Sequence, residues 1–255
     1  MIPKIIHYCW FGPNEIPRDH QRYISGWKAQ MPDFEFKEWN EKTSPDHPYL
    51  KKAITSRKWA NASNWTRLHA LNEYGGIYLD TDIEVLRPLN VFLKNEAFVG
   101  FEVRHSDWDG CVNNAVTGTE KGHWFVKQLL ERISLDFDGT EEAHLSSPHL
   151  TTNLLRENGL AAYGAQNIKG VEIYPVERFY PYGWHEIFKP DCIRENTHTI
   201  HWYGKSWHSG SGRDPWRRRV KARLYLMKWR LWEQKRLYRN ISREAAREKS
   251  DASIL

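Results

Sequence analysis

Cysteine is scarce: Cys9, Cys111 and Cys192 lie far apart in a chain of 255 residues, with no CxxC pair among them. An odd, scattered set supports neither a disulfide framework nor a structural zinc site, and it fits a reducing compartment. Long apolar runs are missing as well. No window approaches 18 uninterrupted apolar residues, so a membrane-spanning helix is not expected. The opening Met1-Ile-Pro-Lys-Ile-Ile-His-Tyr runs straight into a strand pattern and has none of the layout of a secretory signal. These absences lead to the expectation of a cytoplasmic protein. Internal repeats and low-complexity linkers are also absent, which leaves one body of α/β size and an appendage.

Acidic residues are depleted in one region only. Residues 213–255 carry 14 Lys/Arg against 5 Asp/Glu, whereas residues 1–212 carry 23 against 27. The net charge of +5 therefore belongs to the tail, and the body is mildly acidic. We divide the chain accordingly into a body, 1–212, and a basic aromatic helical tail, 213–255. Within the tail Val220, Leu224, Met227 and Leu231 share a helical stripe flanked by Trp229, Trp232 and Tyr238. Such a helix either packs on the body or lies on an anionic membrane surface through residues 213–249, peripheral to the inner face. One basic helix without a matching fold does not support a nucleic-acid partner.

Aromatic residues, by contrast, are plentiful at 14%, with 13 Trp and 12 Tyr. Such rings suit flat, partly polar ligands such as sugars and bases, and they also serve simple packing. Periodicity predicts a strand over 2–10, a turn at Phe11-Gly12-Pro13, a helix over 18–30 with Tyr23, Ile24 and Trp27 inward, and a strand over 34–40. A short helix pair is expected at 46–58. A helix from about 63 to 74 follows, with Asn61 and Ser63 as cap residues and Leu68 and Leu71 on one stripe. Strands are expected at 77–81, 83–86 and 97–101, a helix at 122–133, another after 148, a strand and loop in "VEIYPVERFYP", and a last strand and loop at 198–207. Helices and strands in this mixed order predict an α/β sheet flanked by helices.

The stretch "GGIYLDTDIEV", Gly75 to Val85, places two acids in an apolar run. On a strand Asp80 and Asp82 would share a face, and paired carboxylates at a strand end repel unless a cation lies between them. A hard divalent cation answers that need. The two-glycine turn folds the preceding helix back along the strand, which brings Asn64 and Arg67 beside the acids. Arginine, amide and paired acids at the carboxyl end of a strand suit a metal-bound phosphate.

Taken together, "IPKIIHYCWFG", "NASNWTRLHALNEYGGIYLDTDIEVLRPL", "VNNAVTGTEKGH" and "IHWYGKSW" resemble glycosyltransferase family 32 and, beyond it, the catalytic domain of the large clostridial glucosylating toxins. The resemblance spans residues 1 to about 208. It implies a GT-A type fold, a nucleotide-diphospho-sugar donor (UDP-linked, from the toxin likeness), Mn²⁺ or Mg²⁺, and retention at the anomeric carbon. It further implies that Trp10 stacks on the base, with Cys9 beside it, and that Arg67 lies near the donor sugar and diphosphate. Tyr78 would contact phosphate or sugar, Asp80 ribose, sugar or metal-bound water, and Asp82 the metal. His201, or the Ser206-Trp207-His208 group, would complete the metal shell. The acceptor would be an oligosaccharide or lipid-linked glycan in surface polysaccharide synthesis.

One position departs from the family, which reads Ser-Asp where this chain has Ser63-Asn64. The expected aspartate is an amide, able to donate and accept hydrogen bonds but not to neutralise Arg67. That substitution leaves open a catalytically silent sugar-nucleotide-binding protein. The spaced acids alone leave open a metal-dependent phosphohydrolase, although Ile83-Glu84 after the second acid departs from the phosphatase pattern. Each site residue also has a plainer role: Trp10 and Tyr78 as packing, and His201 as a satisfied core histidine like His7. The two Asn-x-Ser/Thr sequons at 61–66 read as chance.

Overall fold

The computed structural model describes residues 1–102, 112–184, 186 and 188–204. Trp207, Ser206, His208, Cys111 and the whole tail lie outside them, as does the expected body–tail division at 212. The chain forms two compact units, Met1–His185 with Arg194–His208, and Glu186–Ile193 with Ser209–Leu255. Of the second, the described residues contain one turn of 3-10 helix, Pro190–Cys192.

The opening of the first unit follows the sequence closely: β1 (Ile5–Cys9), α1 (Arg18–Gln30) and β2 (Glu35–Trp39). Tyr23, Ile24 and Trp27 are buried on the inner face of α1, joined by His20. The expected helix pair at 46–58 is a single helix, α2 (Pro48–Thr55), closed by Arg57 in the left-handed region at φ 56°. The helix expected from 63 begins earlier, as α3 (Trp59–Tyr74). Asn61 and Ser63 are therefore not caps. The Asn61 amide donates across to Glu141 O at 2.9 Å, and Ser63 Oγ donates back to Trp59 O at 3.1 Å, the alternative backbone bonding that short polar side chains offer inside helices.

β3 (Gly76–Leu79) and β4 (Ile83–Val85) follow, then β5 (Ala97–Phe101), β6 (Val112–Thr119) and α4 (Trp124–Asp136). One wide helical turn, Leu145–His149, runs into α5 (Leu150–Glu157). β7 (Gln166–Ile168), β8 (Val171–Tyr174), α6 (Val176–Phe179) and β9 (Thr199–His201) complete the unit. The loop expected after "VEIYP" is thus a short helix, and β6 and β7 were not expected.

Seven strands form a mixed sheet in the order β2-β1-β3-β6-β5-β8-β7, and β4 pairs with β9 in a separate two-stranded ribbon. β1 is parallel to β2 and β3, whereas β6 is antiparallel to β3. The carboxyl ends of β1 and β3 and the start of β6 therefore open on the same edge. Strand alternation sorts side chains to two cores. Ile6, Tyr8, Ile77 and Leu79 join α1 residues in one; Cys9 and Tyr78 join Leu68 and Leu71 of α3 in the other. Burying each such large apolar side chain contributes about 2 kcal/mol. Gly76, at φ 106°, lets α3 turn into β3, and a Cβ there would lie 2.7 Å from Ile5 O. Gly118 is required for a different reason, because a Cβ would meet the Phe98 ring at 2.1 Å.

Candidate functional site

β3 ends at Leu79, so Asp80 and Asp82 are not on one strand face as expected. They sit in a turn between two sheets, closed by Ile83 N–H donating to Asp80 O at 3.0 Å. Asp80 N–H donates to Ala115 O of β6, which fixes the first acid to the edge of the large sheet. Asp82 belongs to the ribbon. Pairing of Ile83 with His201 brings β9 alongside, Trp202 N–H donates to Asp82 O at 3.1 Å, and Gly204 N–H donates to Asp82 Oδ2 at 2.7 Å.

The two acids differ in surroundings. Asp80 is 26% exposed, and its Oδ1 accepts from Arg67 Nη2 at 3.0 Å and from the Tyr78 hydroxyl at 2.8 Å. The Arg67 guanidinium also lies over the Tyr78 ring, 4.4 Å from its centroid. Burial opposes the charge on Arg67, but Asp80 together with Tyr78, Cys9 and Tyr180 outweighs it and the guanidinium stays protonated. Asp82 is buried against His201, whose Nε2 is 3.1 Å from Asp82 Oδ1. Burial alone would raise the Asp82 carboxyl; the charge of His201, its hydrogen bond, His20 and the Gly204 N–H overcome that and hold it below the usual range. The same contact, against burial, raises His201.

Asp80, Asp82 and His201 each offer one ligand atom, and these atoms lie within 4.8 Å of one another. Two carboxylate oxygens and an imidazole nitrogen form a donor set that suits Mn²⁺ and accommodates Mg²⁺. The ring nitrogen 3.1 Å from Asp82 is His201 Nε2, while Nδ1 is buried and makes no hydrogen bond among the described residues. The residues present therefore fit a divalent cation.

The other expected site residues fall as follows. Trp10 is half-buried at the end of β1, its Nε1 donating to Asn14 O at 2.6 Å and its ring edge-on to His20. Cys9 is buried, and burial pushes its thiol up to about 12, so it offers no nucleophile. Ser63 Oγ is spent within α3. Asn64 makes no hydrogen bond to Asp80 or Asp82. Its Nδ2 donates to Ala143 O at 2.9 Å and to Ser146 Oγ at 3.2 Å. Both sequon asparagines are buried in α3, which excludes them as folded-state glycan acceptors.

Several residues that build the crevice were not singled out from sequence. Asn114 of β6 accepts from Arg67 Nη1 through its main-chain O at 3.1 Å and through Oδ1 at 3.4 Å. Ser147 Oγ donates to Asn114 Oδ1 at 2.5 Å, and Asn114 Nδ2 donates to Thr151 Oγ1 at 3.1 Å. His20 Nδ1 lies 3.0 Å from Thr81 Oγ1, between the two acids. The paired asparagines of "VNNAVTGT" were the available signal: two amides beginning an otherwise apolar strand have to find partners.

Two family models match the chain. "Glycosyltransferase sugar-binding region containing DXD motif" covers residues 17–99, and "Alpha 1,4-glycosyltransferase conserved region" covers 118–215. Inositol phosphoceramide mannosyltransferase 3 of Schizosaccharomyces pombe is 32% identical over 141 residues, which is 52% of this chain and 37% of that protein. Lactosylceramide 4-alpha-galactosyltransferase of Mus musculus is 29% identical over 154 residues, 56% of this chain and 40% of that one. The chain thus matches less than half the length of either relative. Among solved structures, the PaToxG glycosyltransferase superposes with a TM-score of 0.52 at 19% identity, over 61% of this chain and 69% of that chain. That likeness is one of fold, and it agrees with the expected GT-A type mixed sheet flanked by helices.

Proposed function

From its membership of the DXD-motif glycosyltransferases, we propose that this chain transfers a hexose from a nucleotide-diphospho-sugar, UDP-linked, to a glycan or lipid-linked acceptor with retention at the anomeric carbon. The observation that carries the reading is the convergence of Asp80, Asp82 and His201 within 4.8 Å, beside a buried arginine. These three residues would hold Mn²⁺ or Mg²⁺, which when bound supplies positive charge to the diphosphate as the glycosidic bond breaks.

The chain's own residues supply the rest. Arg67, fixed by Asp80, Asn114 and the Tyr78 ring, is a preorganised cation at the edge where the leaving group gathers charge, so no reorganisation is needed as that charge develops. Trp10, at the end of the neighbouring parallel strand, is the base-side residue on this reading. The acceptor class follows from the ceramide-linked substrates in the relatives' names, and the basic tail would bring the enzyme to the anionic surface that presents such lipids. No helix among the described residues is long and apolar enough to cross a membrane.

A thermal-shift panel tests the reading: UDP-, GDP-, dTDP- and CMP-sugars, each with Mn²⁺ or with EDTA. The expected result is a Mn²⁺-dependent rise in Tm with UDP-hexoses, since a ligand specific to the folded state stabilises it. No shift with any donor in the presence of metal would refute it. Release of a nucleoside monophosphate and a sugar phosphate from the bound donor would indicate a phosphohydrolase, and binding without turnover on any acceptor a silent module.

A further inference from the structure

We infer that Asn64 is a positioning residue: its amide docks the segment from Glu141 to Ser147 on α3, and through that segment fixes the guanidinium of Arg67. The inference rests on the reading of this crevice as a glycosyl-donor site. It gives position 64 a role that an aspartate could not fill.

The argument begins with the chemistry of Ala143 O. A carbonyl oxygen only accepts, so the atom of residue 64 that faces it at 2.9 Å has to be an N–H. The same Nδ2 reaches Ser146 Oγ, which is buried, at 3.2 Å. A carboxylate at 64 would keep the shape but set oxygen against the oxygen of Ala143 and lose that bond, while the Ser146 hydroxyl could turn to donate to it. Asn61, one turn earlier on the same helix face, repeats the arrangement by donating to Glu141 O. Tyr49 of α2 adds a third tie, its hydroxyl donating to Glu141 Oε1 at 2.5 Å. Three side chains on two helices thus hold residues 141–146.

The next residue transmits the docking to the site. Ser147 Oγ donates to Asn114 Oδ1 at 2.5 Å, and Asn114 Nδ2 donates to Thr151 Oγ1. The two hydroxyls hold both ends of the Asn114 amide in place, and Arg67, which can only donate, sets which end faces it. The acceptor end points to Arg67 Nη1, and a flipped amide would set its NH₂ group against the guanidinium. Asn64, Asn114 and Ser147 are all buried, so water cannot substitute cheaply for a lost partner. Arg67 Nη2, the other end of the same planar group, holds Asp80. Asn64 acts on that arginine through Ala143, Ser146, Ser147 and Asn114, and does not act on the donor directly.

The test compares Asn64→Asp, Ser147→Ala and the double variant in the full chain. Hydrogen exchange is read over 138–149, and Mn²⁺-dependent release of UDP from UDP-glucose and from UDP-galactose is assayed separately. In Asn64→Asp, exchange over 141–147 should rise ~10-fold or more, because the buried bond to Ala143 O is lost and two oxygens are set against each other. Turnover should fall ~10-fold or more with the donor KM within ~3-fold of wild type, the split of a group that orients rather than binds. Adding Ser147→Ala to Asn64→Asp should lower turnover by no more than ~3-fold further, since both act along one path. Wild-type exchange and turnover in Asn64→Asp would overturn the inference, and so would single effects that multiply in the double variant. If the wild type turns over neither donor, it is the glycosyltransferase reading that has failed, and the exchange of 141–147 still decides the docking. Should Asn64→Asp not fold, Asn64→Ala removes the donor without adding charge and is judged by the same readouts.

Discussion

Asp80 and Asp82 are two positions apart in sequence and belong to different regions of the fold. Asp80 is tied to the large sheet and held by side chains: Arg67, Tyr78 and, behind the arginine, Asn114. Asp82 is tied to the β4–β9 ribbon and held by backbone N–H groups together with His201. The first acid is partly exposed and permanently balanced by a guanidinium, whereas the second is buried and balanced by a histidine. A single short motif therefore presents one carboxylate paired with a guanidinium and one met by imidazoles and a backbone N–H. The second is the stronger pole for a cation, the first the better place to hold an arginine in register.

The comparison breaks most visibly at Asp82. Asp82→Asn should weaken Mn²⁺-dependent donor binding by at least ~100-fold, the upper range seen for losing even a supporting partner of a metal ligand, as measured by calorimetry. On the other side, Arg67→Lys keeps the charge but loses the planar fork that spans Asp80 and Asn114. Turnover should fall ~10-fold or more while Mn²⁺ affinity changes little, a pattern that sharpens the division between the two regions. An equal loss of metal affinity would erase the division.

How much of this could be read in advance follows the same line. The helix over 18–30 was legible because its buried face repeats at 3.6 residues and nothing competes for it. The acids at 80 and 82 were legible as a pair because Gly75-Gly76 and the apolar strand point to them. Their geometry was not, since the chain leaves the sheet after Leu79 and re-enters a different one at Ile83. Asn61 and Ser63 gave a false start for α3: cap residues by type, they are spent on Glu141 O and Trp59 O, and the first of these partners lies 80 residues away. β6 escaped because Asn113, Asn114 and Gly118 interrupt the usual strand composition. Asn113 is satisfied locally by Ala115 N–H, but Asn114 and Gly118 find their compensation in Ser147, Thr151 and the Phe98 ring, none of them local. Asn64 was legible as a departure, but its partners were not.

A smaller and purely structural effect separates two buried histidines. His201 has an acid beside it; His7 has none. His7 Nε2 is 2.8 Å from Gly75 O, and His7 Nδ1 accepts from Trp39 Nε1 at 3.1 Å, an arrangement that only the neutral ring satisfies. Burial lowers its pKa from 6.5 to about 4. The unfolded chain takes up this proton below pH 6.5 and the fold resists it. The contribution is therefore fully present above 6.5 and is lost as pH falls toward 4, up to roughly 3 kcal/mol. Denaturant unfolding at pH 7 and pH 4.5 should show this slope, and His7→Gln should flatten it.

The claim at the centre of this account is that Asp80, Asp82 and His201 form a divalent-cation site for a nucleotide diphosphate. Isothermal titration of Mn²⁺ into the full chain with UDP present, for wild type, Asp82→Asn and His201→Ala, tests it most directly. One Mn²⁺ should bind per chain in the wild type, with a loss of affinity in His201→Ala and a larger one in Asp82→Asn. Wild-type affinity in both variants would contradict it.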